Sequence, residues 1–447
     1  MSLMYQGLFA VDSKNNTTPI LCSQYQVTPD NRTWTIYLEP NATFSDGTRV
    51  TVQDVVASYE QARQNVYYKG RFTHIARVEL SSDGGVDFFL DTPYQNLALL
   101  LDIPIVKASE VTVDNPLGTG PYSLEDGIGG KHLQRVVGWW CSSDDLVAKD
   151  SSIALVEAES PSQIRDEFEF SGLSVVCTNP QTDSYADYRC DFELWEVDSG
   201  FMMYIGCNVT YSKFFDDGTL RTFLTYGIDR QTLVDDNYGG LALPTTLPIS
   251  PMSPYSSKSM ATNYDYDEMR FIDAASKLRV PTNDKGVTRT LKLLVNSDDS
   301  ARLRCARNIA ATLTELGLAC ETVESPTSVY EARLQAANYD IYLGITKLPT
   351  TADLSEFYRP WGEMSWGGLA NETIYNMVNQ SLADRGNYYN LHKLVADDGR
   401  IIPVMAGYYA IYAKRGVLSD LNPARDNVFY YTLGKTMESS KVATQFS

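Results

Sequence analysis

Residue types that carry out catalysis are sparse and scattered in this sequence. Its three histidines, His74, His132 and His392, lie far apart, and it contains no HExxH motif, no GxSxG motif and no phosphate-binding loop. Adjacent carboxylates such as Asp298 and Asp299 tend to point apart, which favours solvated loops over acid–base pairs. Two distant carboxylates could still support hydrolysis if they met in the fold, but no sequence motif identifies such a pair. We therefore predict that the protein is not an enzyme.

The seven cysteines indicate neither a metal centre nor a cofactor site. They form no CxxC pair and no cluster with histidine, so a zinc or iron–sulfur centre is not expected. Buried free thiols are the simplest interpretation, and one disulfide, between Cys177 and Cys190, stays open as an alternative. The sequence thus predicts no metal and no cofactor.

Aromatic residues are the positive chemical signal. The chain holds 29 Tyr, 16 Phe and 6 Trp, or 11% of its residues. Aromatic rings with polar tips suit pockets that hold peptides or sugars. Trp139, Trp140, Trp361 and Trp366 fall in loop-like surroundings, although packing in a core is the commoner role of a single Trp. Aromatic walls of a ligand site are therefore one hypothesis for these four residues.

Charge and hydropathy exclude two broad classes of partner. A formal net charge of -19 argues against nucleic-acid binding, which needs a basic face. The longest apolar runs, such as Leu97–Val106, are shorter than the roughly 20 residues that span a bilayer. The scattered acidic residues are interpreted as a solubilising surface.

The most informative segment, Leu291–Ile345, alternates apolar strands with amphipathic helices. Length and periodicity predict strand 291–295, helix 301–316 ended by Gly317, strand 318–323, helix 328–337 and strand 339–345. This β-α-β-α-β order predicts a mostly parallel sheet with right-handed crossovers. Ligands of such sheets bind beyond the carboxyl ends of the strands. We therefore expect ligand contacts in the loops after Val295 and Ile345.

Two other segments are interpreted as structural. A strand at 34–38 and an Asp-Gly turn lead into an amphipathic helix, where Thr51 and Asp54 have the spacing of a capping box. The proline-rich stretch Leu241–Pro254 favours an extended crossover between domains, since proline fixes the backbone and discourages helix.

Several motifs, in order along nearly the whole chain, resemble those of one family. They are YQGL (Tyr5–Leu8), the segment from WTIYL to FSDGT and its helix (34–60), GTGPY (Gly118–Tyr122), YIGCN (Tyr204–Asn208) and the segment with GIDR (214–234). Later stretches at 368–378 and 401–417 are similar to the family's second-lobe region and its return to the first lobe. On these residues the chain resembles the family 5 extracellular solute-binding proteins of ABC importers, the oligopeptide- and dipeptide-binding group.

The resemblance implies an α/β, two-lobed periplasmic-binding-protein-like fold, of type II with an inserted subdomain in lobe I. Lobe I would comprise residues 1–246, with the subdomain at approximately 25–115. Lobe II would comprise 247–398, and 399–447 would return to lobe I. The implied function is capture of a ligand between the lobes and its delivery to an ABC import permease.

The favoured ligand is an oligopeptide, but one departure from the family pattern bears on that choice. Peptide binders commonly carry G-W-x-x-D after the last second-lobe strand, where the Asp accepts the peptide's amino terminus. Here Ile345 replaces the Trp and Leu348 stands at the acidic position. Lys347 adds a positive charge that could meet an anion, and Asp353 is the nearest carboxylate. An oligosaccharide, a metal chelate or another small solute stays open, as does a non-transport sensor or interaction protein.

The resemblance also suggests binding residues, partners and a location. Candidate ligand contacts are Asn208 in the first lobe, Thr346, Lys347 and Asp353 after the second-lobe strand, and Trp361 and Trp366 as aromatic walls. Implied partners are a peptide or small-molecule ligand and ABC permease subunits, with no nucleic acid. The protein would be a monomer outside the cytoplasm, either in the periplasm or on the surface of a Gram-positive bacterium. There, a lipid anchor outside this sequence would hold it to the membrane.

Overall fold

The computed structural model describes residues 3–127, 130–141, 151–182, 187–216, 218–417, 421 and 423–425. Contacts divide the chain into unit 1 (Met1–Asp198, Pro349–Thr351 and Tyr409–Ser447) and unit 2 (Ser199–Leu348 and Ala352–Tyr408). These boundaries differ from the expected lobe boundaries at residues 246 and 398, and the assignment of lobes stays a prediction.

Unit 1 consists mainly of antiparallel β structure. Its first two strands, β1 (Phe9–Val11) and β2 (Thr17–Pro19), pair with each other. A four-stranded antiparallel sheet and one helix follow: β3 (Cys22–Val27), β4 (Thr33–Leu38), α1 (Val52–Gln64), β5 (Ile75–Leu80) and β6 (Val86–Leu90). The strand order in this sheet is β3-β4-β6-β5.

Helix α1 begins where the sequence predicts it. The Thr51 Oγ1 accepts a hydrogen bond from the Asp54 backbone N–H at 3.4 Å, and the Thr51 backbone N–H donates to Asp54 Oδ2 at 2.8 Å. This reciprocal capping box satisfies two of the N–H groups that a helix start leaves unpaired. Val55 and Tyr59 are buried on the inner face. The predicted structural role of this segment is confirmed.

The rest of unit 1 adds a three-stranded antiparallel sheet, a helix and an edge strand. The elements are β7 (Tyr122–Gly127), β8 (Gly130–Arg135), β9 (Ser152–Ala154), α2 (Pro161–Phe170) and β10 (Val175–Thr178). Strand β11 (Phe192–Cys207) then begins in unit 1 and continues into unit 2.

Unit 2 holds the predicted alternation of strands and helices. After β11 it comprises α3 (Thr219–Phe223), α4 (Arg230–Tyr238), β12 (Leu243–Pro244), α5 (Lys258–Ala261), α6 (Glu268–Lys277), β13 (Leu291–Asn296), α7 (Ser300–Glu315), β14 (Cys320–Ser325), α8 (Thr327–Gln335), β15 (Ile341–Lys347), α9 (Ser355–Tyr358), α10 (Glu372–Ala383), α11 (Tyr388–Asp398) and β16 (Ile401–Lys414). Strand β16 runs on into unit 1, where residues 410–413 pair with β10.

The sheet of unit 2 is mixed. Strand β13 is parallel to β14 and β15, whereas β11 is antiparallel to β15. One face of α7 packs Cys305, Ala306, Ile309 and Leu313 into the apolar core with the inward side chains of the sheet. Gly317 ends this helix region with φ at +96°, a conformation that favours glycine. The predicted β-α-β-α-β segment is confirmed, and its three strands are parallel, but the expectation of a mostly parallel sheet is wrong because β10, β11, β12 and β16 add antiparallel pairings.

Two other expectations meet a different result. The segment Leu241–Pro254 lies inside unit 2, where Leu247 and Ile249 are buried and β12 pairs with β16, so it is packed structure and not a linker between domains. All seven cysteines are free thiols, so the Cys177–Cys190 disulfide is not formed. The prediction of a linker at Leu241–Pro254 was wrong because prolines are also compatible with a short strand and its turns.

Two features of the described residues bear on function. None of their helices has the length and hydropathy needed to cross a membrane. The same part of the chain contains no group of three or more His, Cys, Asp or Glu side chains placed to hold a metal ion.

Candidate functional site

The carboxyl end of β15 presents side chains to solvent. Thr346 and Lys347 pair with Met202 and Phe201 of β11, which fixes their backbone. Lys347 is exposed and Thr346 is half-buried. The next residue, Leu348, is buried, and its backbone N–H donates to the Gly200 carbonyl at 2.8 Å. Leu348 stands where the family pattern has an acidic residue. Here it is a buried apolar side chain that packs at the end of β15.

Asp353 lies just before α9 and serves that helix. Its Oδ1 accepts a hydrogen bond from the Ser355 backbone N–H at 2.8 Å, and only 9% of the residue is exposed. Burial raises the pKa of the nearby Tyr388 hydroxyl, with the charges of Tyr255 and Asp353 acting in the same direction. Asp353 thus has a structural bond, and its predicted contact with a ligand stays untested.

Trp361 occupies an unusual backbone position. The Gly362 N–H donates to the Arg359 carbonyl at 3.2 Å, which closes a four-residue turn with Pro360 and Trp361 at its centre. Trp361 has φ of +62°. Proline second and a positive φ third define a type II turn, whose third position normally holds Gly or Asn. A left-handed conformation costs a residue with a Cβ about 1 kcal/mol or more.

Trp361 is also 97% exposed. No ring contact, cation–π contact or hydrogen bond of this side chain is found among the described residues. The indole therefore recovers none of the backbone cost through packing in this part of the chain.

Glu356 of α9 holds the Trp361 turn in place. Its carbonyl accepts from the Met364 N–H at 3.1 Å and its Oε2 accepts from the Glu363 N–H at 2.9 Å. Its carboxylate also pairs with Arg359 at 2.7 Å. A Cβ on Gly362 would lie 2.2 Å from the Glu356 carbonyl oxygen, so the loop packs tightly on α9.

A side-chain contact joins this loop to the strand end. The hydroxyl of Thr346 lies 3.3 Å from Met364 Sδ. Met364 is three residues beyond Trp361, so the structure brings Thr346, Lys347 and the Trp361 loop to the same end of β15.

Asn208 lies at the opposite end of β15. It follows Cys207, which pairs with Ile341, whereas Thr346 is five residues further along the strand, or roughly 16 Å. The Asn208 amide donates to the Ala337 and Tyr339 carbonyls at 2.9 and 2.8 Å, and its Oδ1 accepts from the Tyr211 N–H at 3.1 Å. Both amide hydrogens are thus used inside the fold.

The backbone next to Trp366 is hydrogen-bonded to the residue after Asn208. Trp366 starts a short 3-10 turn, Trp366–Gly368, and is half-buried. The Gly367 carbonyl accepts from the Val209 N–H at 2.8 Å, beside Asn208. Thr346, Lys347 and the Trp361 loop thus form one group and Asn208 and Trp366 a second, whereas Asp353 lies just before α9. The ligand role of each of the six residues stays a prediction.

The loop after β13 is the other place where the sequence predicts ligand contacts. There Asp298 Oδ2 accepts from the Thr327 backbone N–H at 2.8 Å and from its hydroxyl at 2.7 Å, at the start of α8. These hydrogen bonds lower the pKa of Asp298. Asp299 Oδ1 accepts from the Arg302 N–H at 3.0 Å and caps α7. The carboxylates of this loop serve helix starts.

Sequence reasoning missed the supporting residues Glu356, Met364 and Gly362. One signal could have revealed them, because Pro-Trp-Gly places proline second in a turn and an atypical residue third. The sequence also missed a buried group around β15, where Tyr204 and Tyr342 hydroxyl oxygens lie 3.3 Å apart. That group has no local sequence signal because it joins distant strands.

Comparison with known proteins identifies the class. The family described as bacterial extracellular solute-binding proteins, family 5 middle region, matches residues 16–368. The chain therefore belongs to this family, which confirms the resemblance found in its motifs.

Individual relatives support the same class. The glutathione-binding protein GsiB of Escherichia coli O6:K15:H31 (strain 536) is 25% identical over 283 residues, covering 58% of this chain and 53% of that protein. The matched part thus spans about half the length of these curated relatives. This family and GsiB are described as binding proteins and not as enzymes.

Solved structures confirm the predicted fold class. The unliganded open form of MppA, a periplasmic murein tripeptide binding protein, has a TM-score of 0.77 at 15% identity and covers 96% of this chain and 91% of its own. NikA from Brucella suis in complex with Fe(III)-EDTA has a TM-score of 0.73 at 16% identity, with coverage of 96% and 93%. These similarities establish an α/β periplasmic-binding-protein-like fold.

Proposed function

We propose that the protein is a monomeric solute-binding protein that captures a ligand outside the cytoplasm and delivers it to the permease of an ABC importer. Membership of family 5 carries this proposal, because the family comprises extracellular solute-binding proteins. The proposal includes a lipid anchor beyond the described residues, which would keep the protein near its permease at the membrane.

The proposed ligand is a short peptide. GsiB is named for glutathione and MppA for murein tripeptide, and both ligands are peptides. We propose Thr346 and Lys347 at the end of β15, and Trp361 in the adjoining loop, as ligand contacts. Their support is that the ligands of parallel strands bind at this edge and that the Thr346–Met364 contact joins the loop to it.

The proposal does not assign the peptide's amino terminus to a carboxylate in this loop. Leu348 is buried at the expected acidic position, and Asp353 accepts a hydrogen bond from the start of α9. A buried carboxylate that already accepts a backbone N–H is a poorer partner for an ammonium group than an accessible one. N-acetylated peptides should therefore bind about as well as free ones.

A thermal-shift screen tests the proposal. The purified protein would be heated with pools of di- to pentapeptides, with the same pools N-acetylated, with oligosaccharides and with metal chelates such as Ni(II)-EDTA. A ligand at 100 times its dissociation constant stabilises the folded state by about 2.7 kcal/mol, which raises the melting temperature measurably. We expect shifts with both peptide pools.

Each outcome bears on one part of the proposal. A shift with chelates or oligosaccharides alone would replace the peptide by another solute of the same class. No shift with any pool would overturn ligand capture and favour a sensor or interaction protein. For variants that remove the Trp361 ring, Tyr211→Ala is the matched control. Tyr211 is also an exposed aromatic residue of unit 2, but it lies just after the end of β11 that pairs with the start of β15.

A further inference from the structure

The Trp361 turn combines two features that do not stabilise the fold. The backbone at Trp361 has φ of +62°, where glycine would be unstrained, and the residue is 97% exposed. Exposed single apolar residues are common, and so are strained turns that glycine relieves. Trp361 fits neither of these common cases, because it places a large apolar side chain at a position that is both strained and exposed.

Contacts with α9 hold the turn in this conformation. Four interactions with α9 fix it: two backbone N–H groups donate to Glu356, the Arg359 guanidinium pairs with its carboxylate, and Gly362 packs against its carbonyl. A fixed backbone under the ring removes one part of the freedom that a partner would have to restrict, which lowers the entropic cost of binding. Strain that its surroundings enforce is typical of ligand-contacting positions.

The position of the turn favours a ligand over a protein partner. Met364 joins the loop to Thr346 at the carboxyl end of β15 through the 3.3 Å Sδ–Oγ1 contact. That edge is where ligands of parallel strands bind. Met364 also places a polarisable thioether in the same loop, and thioethers pack well beside aromatic rings.

We propose that Trp361 selects among ligands by stacking on an aromatic side chain of a bound peptide. The inference rests on the proposed function and deepens it, because it names the ligand class that the turn prefers. Aromatic pairs contribute beyond the area that they bury. The expected preference for an aromatic peptide over its alanine counterpart is about fivefold in dissociation constant.

Four defined tripeptides test the preference by isothermal titration calorimetry. They are Phe-Ala-Ala, Ala-Phe-Ala, Ala-Ala-Phe and Ala-Ala-Ala. We expect the unaltered protein to bind at least one phenylalanine peptide about fivefold more tightly than Ala-Ala-Ala. Trp361→Ala should bind all four with the affinity of the unaltered protein for Ala-Ala-Ala, and Tyr211→Ala should keep the preference.

Three results would overturn the inference while the proposed function stands. The first is an unaltered protein that binds all four tripeptides alike. The second is a Trp361→Ala variant that keeps the preference or loses affinity for every peptide by one factor. The third is a variant that binds the peptides normally but fails to stimulate ATP hydrolysis by a reconstituted importer, which would assign the ring to the permease. If the unaltered protein binds no peptide, the proposed peptide function fails and this inference with it.

A second measurement tests the strain independently of any ligand. Trp361→Gly and Trp361→Ala both remove the ring, but only glycine adopts a left-handed conformation without strain. The glycine variant should therefore have the higher melting temperature of the two. An alanine variant as stable as the glycine variant would contradict the enforced strain and remove the basis of the inference.

Discussion

The two ends of strand β15 use their polar groups in opposite ways. At its start, the Asn208 amide is buried and donates to two carbonyls, those of Ala337 and Tyr339. At its end, Lys347 is exposed and the adjoining loop holds Trp361 in the open. Polar groups that are hydrogen-bonded within the fold indicate a structural role. A strained and exposed side chain without stabilising contacts indicates a ligand-binding site.

The loop after β13 belongs with the scaffold end. Asp298 and Asp299 each accept a backbone N–H at the start of a helix. The predicted parallel strands made the loops after β13 and β15 equivalent places for ligand contacts. The two places differ, because the loop after α9, which contacts the end of β15 through Met364, exposes Trp361 without a hydrogen bond or ring contact among the described residues.

The largest expected effect is at the scaffold end. Asn208→Ala should lower the free energy of unfolding by about 3 kcal/mol, because it leaves the buried Tyr339 bond, the part-buried Ala337 bond and the Tyr211 N–H without their partner. Denaturant titration measures the loss, and calorimetry measures peptide binding by the folded fraction, which should not change.

Tyr211→Ala is the control for this variant, because the bond to Asn208 Oδ1 comes from the Tyr211 backbone and survives removal of the ring. Peptide binding that weakens with Asn208→Ala at constant folded fraction would show that Asn208 is a ligand contact and would remove the contrast between the two ends.

A buried histidine is polar but is neither hydrogen-bonded within the fold nor exposed at the proposed site. His392 of α11 is 1% exposed, both ring nitrogens lack a hydrogen-bond partner in the described structure, and burial lowers its pKa to about 4. Unfolding restores a pKa near the ordinary value of about 6.5, so the unfolded chain binds more protons between these values. Stability is therefore complete above pH 6.5 and is lost as the pH falls towards 4.

The predicted loss between pH 7.5 and pH 5 is about 2 kcal/mol from this single residue. Urea titrations at both pH values measure it, and His392→Leu should remove that part of the pH dependence. The difference between the two proteins is the observable, since carboxylates contribute to both alike. Equal pH dependence of the two proteins would mean that the His392 ring is hydrogen-bonded or hydrated in the folded protein.

Sequence predicted the fold more fully than the site, and particular residues show why. The capping box at Thr51 and the apolar face of α7 are local patterns with fixed spacing, so they can be identified without the structure. The use of Asn208 depends on carbonyls about 130 positions away, and the Asp353 contact depends on where α9 starts. Trp361 was predicted as an aromatic wall, but its strained turn depends on Glu356, whose role in holding the loop carries no sequence motif.

The Trp361 turn itself can be loosened without touching the ring. Glu356→Ala removes the acceptor of the Glu363 N–H and the ion pair with Arg359. We expect about 1 kcal/mol less stability, since both interactions are partly exposed, and a reduced preference for phenylalanine peptides. Denaturant titration and calorimetry measure the two effects.

Glu363→Ala is the matched control for that variant, because the Glu363 backbone N–H remains in place. An unchanged preference in Glu356→Ala would mean that the turn keeps its shape without α9, and that rigidity does not contribute to the contrast between the two ends of β15.

The smallest effect is expected from Asp353→Asn. The asparagine Oδ1 still accepts from the Ser355 N–H, so stability should change by less than about 0.5 kcal/mol, whereas Asp353→Ala loses the acceptor and about 1 kcal/mol. If Asp353 serves only α9, the ratio of affinities for free and N-acetylated peptides is the same in Asp353→Asn as in the unaltered protein. A tenfold loss confined to free peptides would instead make Asp353 the acceptor of the terminal amine. The carboxylate would then belong with Lys347 and Trp361, and the exposed end of β15 would contain a buried ligand contact.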